Sequence, residues 1–143
     1  MRSQALRGQY ALVGMAESAV GVVPDKSPRE LCVEVTLNAV KDAGLSLADC
    51  DGLITCNAFA EPILYHAEAV AEYLGWQPRH CVTVNTGGGT TFMAINMAVA
   101  AIAAGMADTI VVAMADSLRS FMTRDQAMVV QSSSGHPHYE QPY

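Results

Sequence analysis

The sequence predicts an α/β domain built around a largely parallel sheet, and three observations carry that reading. Short apolar, β-branched runs alternate with helical segments in the order βαβαβαβ. Three consecutive glycines, Gly87, Gly88 and Gly89, fall between an expected strand and an expected helix. The helix after them, residues 92–104, has Asn96 as its only strongly polar interior residue. With 143 residues, 51% hydrophobic and 15% charged, the chain is long and apolar enough to bury one core, which excludes a disordered or fibrous protein.

Taken in order, residues 10–16 (Tyr-Ala-Leu-Val-Gly-Met-Ala) predict a buried first strand. Ser27, Pro28 and Glu30 then give three agreeing signals for a helix start: a capping hydroxyl, proline at the first position and a glutamate three after the cap. That helix carries Glu30, Glu34, Asn38 and Lys41 on its polar stripe, and Gly44 ends it. Residues 51–56 predict the second strand. Residues 62–74 predict the second helix, with Ile63, Ala67, Val70 and Leu74 on one face and Gly75 as its stop. Residues 80–84 are the third strand, and residues 92–104 a helix expected to be buried on every side, closed by Gly105. Residues 109–115 are the fourth strand. The apolar run 92–115 has the length of a membrane span, but Gly105 and Asp108 divide it into helix and strand, so it reads as core. Residues 1–120 thus form the domain, and residues 121–143 are expected to be an irregular loop and tail that opens a remainder.

Glycines at a strand-to-helix turn permit positive φ and let a ligand approach the backbone. The helix start aims unpaired N–H groups and a positive dipole end at the same point, which is the layout of an anion or oxyanion site. No lysine follows the glycines, so the turn is not a Walker loop, and Phe92 at the third position after Gly89 breaks the dinucleotide fingerprint. A G-x-S-x-G nucleophile elbow is also absent.

The segment Val84-Asn85-Thr86-Gly87-Gly88-Gly89-Thr90, the apolar helix up to Gly105, and Ala107-Asp108-Thr109-Ile110-Val111-Val112-Ala113 together resemble the N-terminal half of thiolase-superfamily proteins. The likeness is greatest to the sterol-carrier, lipid-transfer branch, and Tyr139-Glu140-Gln141-Pro142-Tyr143 is similar to an F-E-x-P-Y-G stretch of that branch. The resemblance implies an acyl-CoA enzyme in which Asn85, Gly87, Gly89 and Thr90 bind substrate and Asp116 supports the site loops. The family's nucleophilic cysteine falls on Gly88, so no enzyme thioester can form there, while the Gly88 N–H survives as an oxyanion donor. What remains open to such a protein is retro-aldol cleavage of a carbon–carbon bond, with acid/base groups from a second half. The alternative is a non-catalytic acyl-CoA or lipid binder, or a dimerising scaffold. CoA enters as part of the substrate and no separate cofactor is implied. The resemblance further implies a homodimer through the strand between His80 and Val84, and a small zinc-ribbon/OB-fold acyl-CoA-binding partner.

Other residue types give weaker signals. The net charge of −6 argues against nucleic acid or an anionic membrane as main partner. Cys32, Cys50, Cys56 and Cys81 show no C-x-x-C spacing and no leader precedes them, so reduced structural thiols in a cytoplasmic protein are expected. His136 and His138 lack further ligands at metal spacing, so no metal site is expected. His66 reads as a solvent-exposed helix residue and His80 as an edge residue. Tyr139 and Tyr143 are open to two readings, proton donors or packing in an irregular tail.

Overall fold

The structure is a computed structural model and describes residues 6–133. Three parallel strands form one sheet in the order β2–β1–β3: β1 is Gly52–Thr55, β2 is His80–Thr83 and β3 is Ile110–Ala113. Helices α1 (Pro28–Asp42) and α2 (His66–Tyr73) cover one face, and α3 (Thr90–Ala103) covers the other. This α/β arrangement with a parallel sheet is the predicted class.

The central strand β1 is buried along its whole length, as a strand with partners on both edges and helices on both faces must be. Leu53 joins Cys32, Val35, Val70 and Val111 in the core beneath α1 and α2. Ile54 turns to the other face, against Ala94 and Ala98 of α3, with Val112 and Met114 beside them. Gly52 is required by this packing, because a Cβ there would lie 2.6 Å from Ile110 Cγ1.

Local signals place the helices. Glu30 N–H donates to Ser27 Oγ at 3.2 Å and Ser27 N–H donates to Glu30 Oε2 at 2.8 Å, which is the expected capping box with Pro28 at its first position. At the other end Gly44 N–H donates to Lys41 O and Leu45 N–H to Val40 O, and the same paired closure ends α2 at Gly75 and α3 at Gly105.

Four expectations differ from the structure. Residues 10–16 form no strand, and Leu12, Val13 and Met15 are exposed. They follow α1 instead: Met15 N–H donates to Asp42 Oδ2 at 2.9 Å, and Gly14 lies so close to Ala39 that a Cβ would meet its carbonyl oxygen. A groove of about 800 Å³ therefore separates this segment from the outer edge of β3. Helix α3 is buried on one face only. Phe92 is 75% exposed and Met93 45%, because a three-stranded sheet covers one side of a helix and nothing among the described residues covers the other. Helix α2 begins at His66, four residues later than expected, with Tyr65 as a cap that makes no side-chain bond. Finally, the stretch read as irregular holds α5 (Arg124–Ser133), preceded by the short α4 (Leu118–Phe121). Among the described residues no helix is long and apolar enough to cross a membrane.

Candidate functional site

Because the strands are parallel, their C-terminal ends share one edge of the sheet, where Thr55 pairs in register with Thr83 and with Ala113. Ligands of parallel sheets gather at that edge. The glycine turn leaves β2 there, the loop of residues 56–65 leaves β1, and Asp116 follows β3.

Internal bonds hold the turn. Val84 N–H donates to Thr55 O at 2.8 Å, fixing its entry. Asn85 Oδ1 accepts from Gly87 N–H at 3.3 Å, a side-chain turn that brings Gly87 to φ +67°. Thr90 Oγ1 donates to Gly87 O at 2.6 Å and accepts from Thr86 N–H at 2.9 Å. Thr90 is buried and its hydroxyl is engaged inside the turn, whereas Asn85, Gly87, Gly88 and Gly89 are exposed. No atom lies within 4 Å of a Cβ placed on Gly88 or Gly89. A side chain would fit at Gly88, so crowding does not demand glycine there. Gly89 caps α3 without a side-chain bond, and no acidic residue stands in the first turn. The positive end of the helix dipole thus opens onto an exposed backbone, an arrangement that stabilises an anion or a developing oxyanion.

Asp116 ties the rim together. Its carboxylate accepts from Phe59 N–H at 2.7 Å, Ala60 N–H at 3.3 Å and Ser117 N–H at 2.8 Å. Across β1, Thr91 Oγ1 in the first turn of α3 lies 3.5 Å from Met114 Sδ, bringing the helix start beside the segment that carries Asp116.

His66 is a correction to the sequence reading: it is 1% exposed, not on the surface. Its Nδ1 lies 3.0 Å from Thr55 Oγ1 at the end of β1. Burial pulls its pKa below the ordinary 6.5, Arg29 adds to the effect, and Glu61 and Asp116 oppose it. The signal that could have found it is spacing, since His66 stands four residues before buried Val70 on the inward face of α2.

The four cysteines are unpaired, and burial raises the pKa of each. Cys32 reaches about 12 and Cys81 about 11, so neither supplies a thiolate near neutral pH. His80 opens β2 at the sheet edge. His136, His138, Tyr139 and Tyr143 lie outside the described residues. Among the described residues no group of His, Cys, Asp and Glu is arranged to hold a metal ion.

No protein-family model matches the chain. It is 30% identical over 145 aligned positions to 17-hydroxy-3-oxo-4-pregnene-20-carboxyl-CoA lyase of Mycobacterium tuberculosis, covering 93% of this chain and 36% of that protein. Among solved structures, an Ltp2–ChsH2(DUF35) aldolase superposes with a TM-score of 0.69 at 27% identity, over 87% of this chain and 32% of that one. The fold is thiolase-like. The 3-oxoacyl-[acyl-carrier-protein] synthase III of Aquifex aeolicus shares it, with a TM-score of 0.58 over 73% of this chain and 35% of that one, at an 18% identity that speaks for fold alone. The chain spans about a third of the length of each of these relatives.

Proposed function

We propose that this chain is the N-terminal portion of a thiolase-like acyl-CoA enzyme of the sterol-carrier branch, one that cleaves a carbon–carbon bond without a cysteine nucleophile. The observation that carries the reading is the exposed glycine turn at the start of α3, where no side chain caps the helix, with open space beside Gly88. The likeness to a carboxyl-CoA lyase and to an aldolase supports it. In retro-aldol cleavage a base takes the proton of the β-hydroxyl, the Cα–Cβ bond breaks, and its electrons pass into the thioester carbonyl. The charge gathers on the thioester oxygen before the α-carbon is protonated. Backbone N–H groups around Gly88, backed by the α3 dipole, are placed to stabilise that oxygen, a contribution of the kind that lowers barriers by about 3–4 kcal/mol per donor in other enzymes. Asn85, Gly87, Gly89 and Thr90 shape the turn, and Asp116 supports the loops that face it. The proton-transfer groups belong to the remainder of the enzyme.

In this reading acyl-CoA is substrate, and the enzyme is a cytoplasmic homodimer joined through the edge at residues 80–84. Within the described residues β2 pairs with β1 alone, which leaves that edge open for such a contact. A small zinc-ribbon/OB-fold protein is the proposed acyl-CoA-binding partner. A second reading, a non-catalytic acyl-CoA binder or dimerising scaffold, is supported by Gly88 standing at the family's nucleophile position with no thiol in the turn.

The test combines thermal shift and intact mass with acetyl-CoA and longer acyl-CoAs. Stabilisation that Gly88→Trp abolishes, with no covalent acyl adduct, is the expected result. Binding that Gly88→Trp leaves unchanged would move the site away from the turn. Release of a carbonyl fragment from a β-hydroxyacyl-CoA, once the remainder or partner is supplied, separates the enzyme from the binder.

A further inference from the structure

Two bonds join α2 to the ends of β1 and β2, and a third ties those ends to each other where the glycine turn begins. His66 Nδ1 meets Thr55 Oγ1 at 3.0 Å, Ala67 N–H donates to Thr83 Oγ1 at 2.9 Å, and Val84 N–H donates to Thr55 O at 2.8 Å. The imidazole thus meets the end of β1 directly, and the residue after it bonds the end of β2. Its second nitrogen, Nε2, is buried without a hydrogen-bond partner among the described residues.

We propose that His66 is a positioning residue for the glycine turn: its neutral ring, buried against Thr55, holds the ends of β1 and β2 where the turn begins, and its protonation releases that hold. A neutral imidazole needs partners for one donor and one acceptor, whereas an imidazolium is a cation with two donors. At this site the added proton goes to a ring nitrogen sealed from water. The charged groups around it are Arg29 of α1, which repels the cation, and Glu61 of the 56–65 loop and Asp116 after β3, which attract it. Glu61 is already engaged, by Arg29 N–H and by the Arg29 guanidinium at 3.2 Å each. Asp116 holds the amides of Phe59, Ala60 and Ser117. Both carboxylates are committed to holding the rim, so the buried cation is relieved by opening the rim to water, which loosens α2 and the turn with it.

Only the functional consequence rests on reading the turn as the acyl-CoA site. The structural claim is tested without ligand, by following the His66 ring and the amides of Val84, Gly87, Gly88 and Gly89 in a nuclear magnetic resonance pH titration. The glycine amides should shift, and Val84 should lose exchange protection, with the same midpoint as the ring and below its ordinary 6.5. In His66→Gln the pH response of these amides should vanish. Should that variant not fold, Glu61→Gln keeps the ring but removes an attracting carboxylate, and must lower the ring and amide midpoints together. Turn amides that stay still while the ring titrates, or that respond equally in His66→Gln, would overturn the inference. Amides that follow the ring in a chain that binds no acyl-CoA at any pH would leave this inference standing and sink the assignment of the site.

Discussion

The two ends of the same three strands are built on opposite terms. At the N-terminal end Asp51 gathers the strand starts around one carboxylate. Its Oδ1 accepts from Asp108 N–H at 2.8 Å and Thr109 N–H at 2.9 Å, and its Oδ2 takes Arg79 Nη2 at 2.9 Å. Burial works against that carboxylate, but the two amides and Arg79 outweigh it and lower its pKa. At the C-terminal end the polar groups are only partly matched: Asn57 Oδ1, His66 Nε2 and Ser117 Oγ are buried without partners among the described residues, and the glycine turn stands in solvent. One end is a clasp centred on a single carboxylate, with His80 Nε2 as the one buried nitrogen beside it that lacks a partner among the described residues. The other leaves hydrogen-bonding capacity unspent, which is where a ligand or a proton can act.

Breaking the clasp should have the largest effect on stability and none on ligand preference. Asp51→Ala removes a carboxylate held by two amides and a guanidinium, and should cost about 2–3 kcal/mol in denaturant unfolding, as for hydrogen bonds to charged groups. Because the folded pKa of Asp51 is lowered, its contribution is complete above the unfolded value near 3.8 and disappears as pH falls through the folded one. Acid unfolding of Asp51→Asn should therefore lose that part of its pH dependence.

Thr90→Val comes next. It deletes the hydroxyl that bridges Thr86 N–H and Gly87 O, and should destabilise the chain by about 1–2 kcal/mol while disordering the turn. A drop in acyl-CoA-induced thermal shift larger than the loss of intrinsic stability would confirm that the turn's shape matters to binding. The pH response follows. The folded pKa of His66 is also lowered, so its contribution is whole above 6.5 and declines as pH falls from there toward the folded value. Melting temperatures should fall over that window in the parent chain and fall less in His66→Gln.

The smallest effect on folding belongs to Gly88→Ala. With nothing within 4 Å of the added Cβ, stability should stay within about 0.5 kcal/mol. Any weakening of acyl-CoA binding by this variant would then report contact at the turn rather than damage to the fold. If Gly88→Ala instead destabilised as strongly as Asp51→Ala, the contrast between the two ends would collapse.

The sequence alone determined what depends on neighbours along the chain. The Ser27–Glu30 capping box, the stops at Gly44, Gly75 and Gly105 and the glycine turn were legible because each is closed by residues a few positions apart, and three of the four expected strands were legible from their β-branched runs. The tertiary structure decided what depends on who stands beside whom. Apolar residues 10–16 look like a strand, but a strand needs an edge to pair with, and Met15 and Gly14 are committed to α1. The largely apolar α3 looks buried throughout, yet burial depends on the number of covering layers, and the described residues supply one. His66 looks like a solvent-exposed helix residue. Helix geometry puts it on the face of Val70, and the packing of that face on β1 sets it against Thr55.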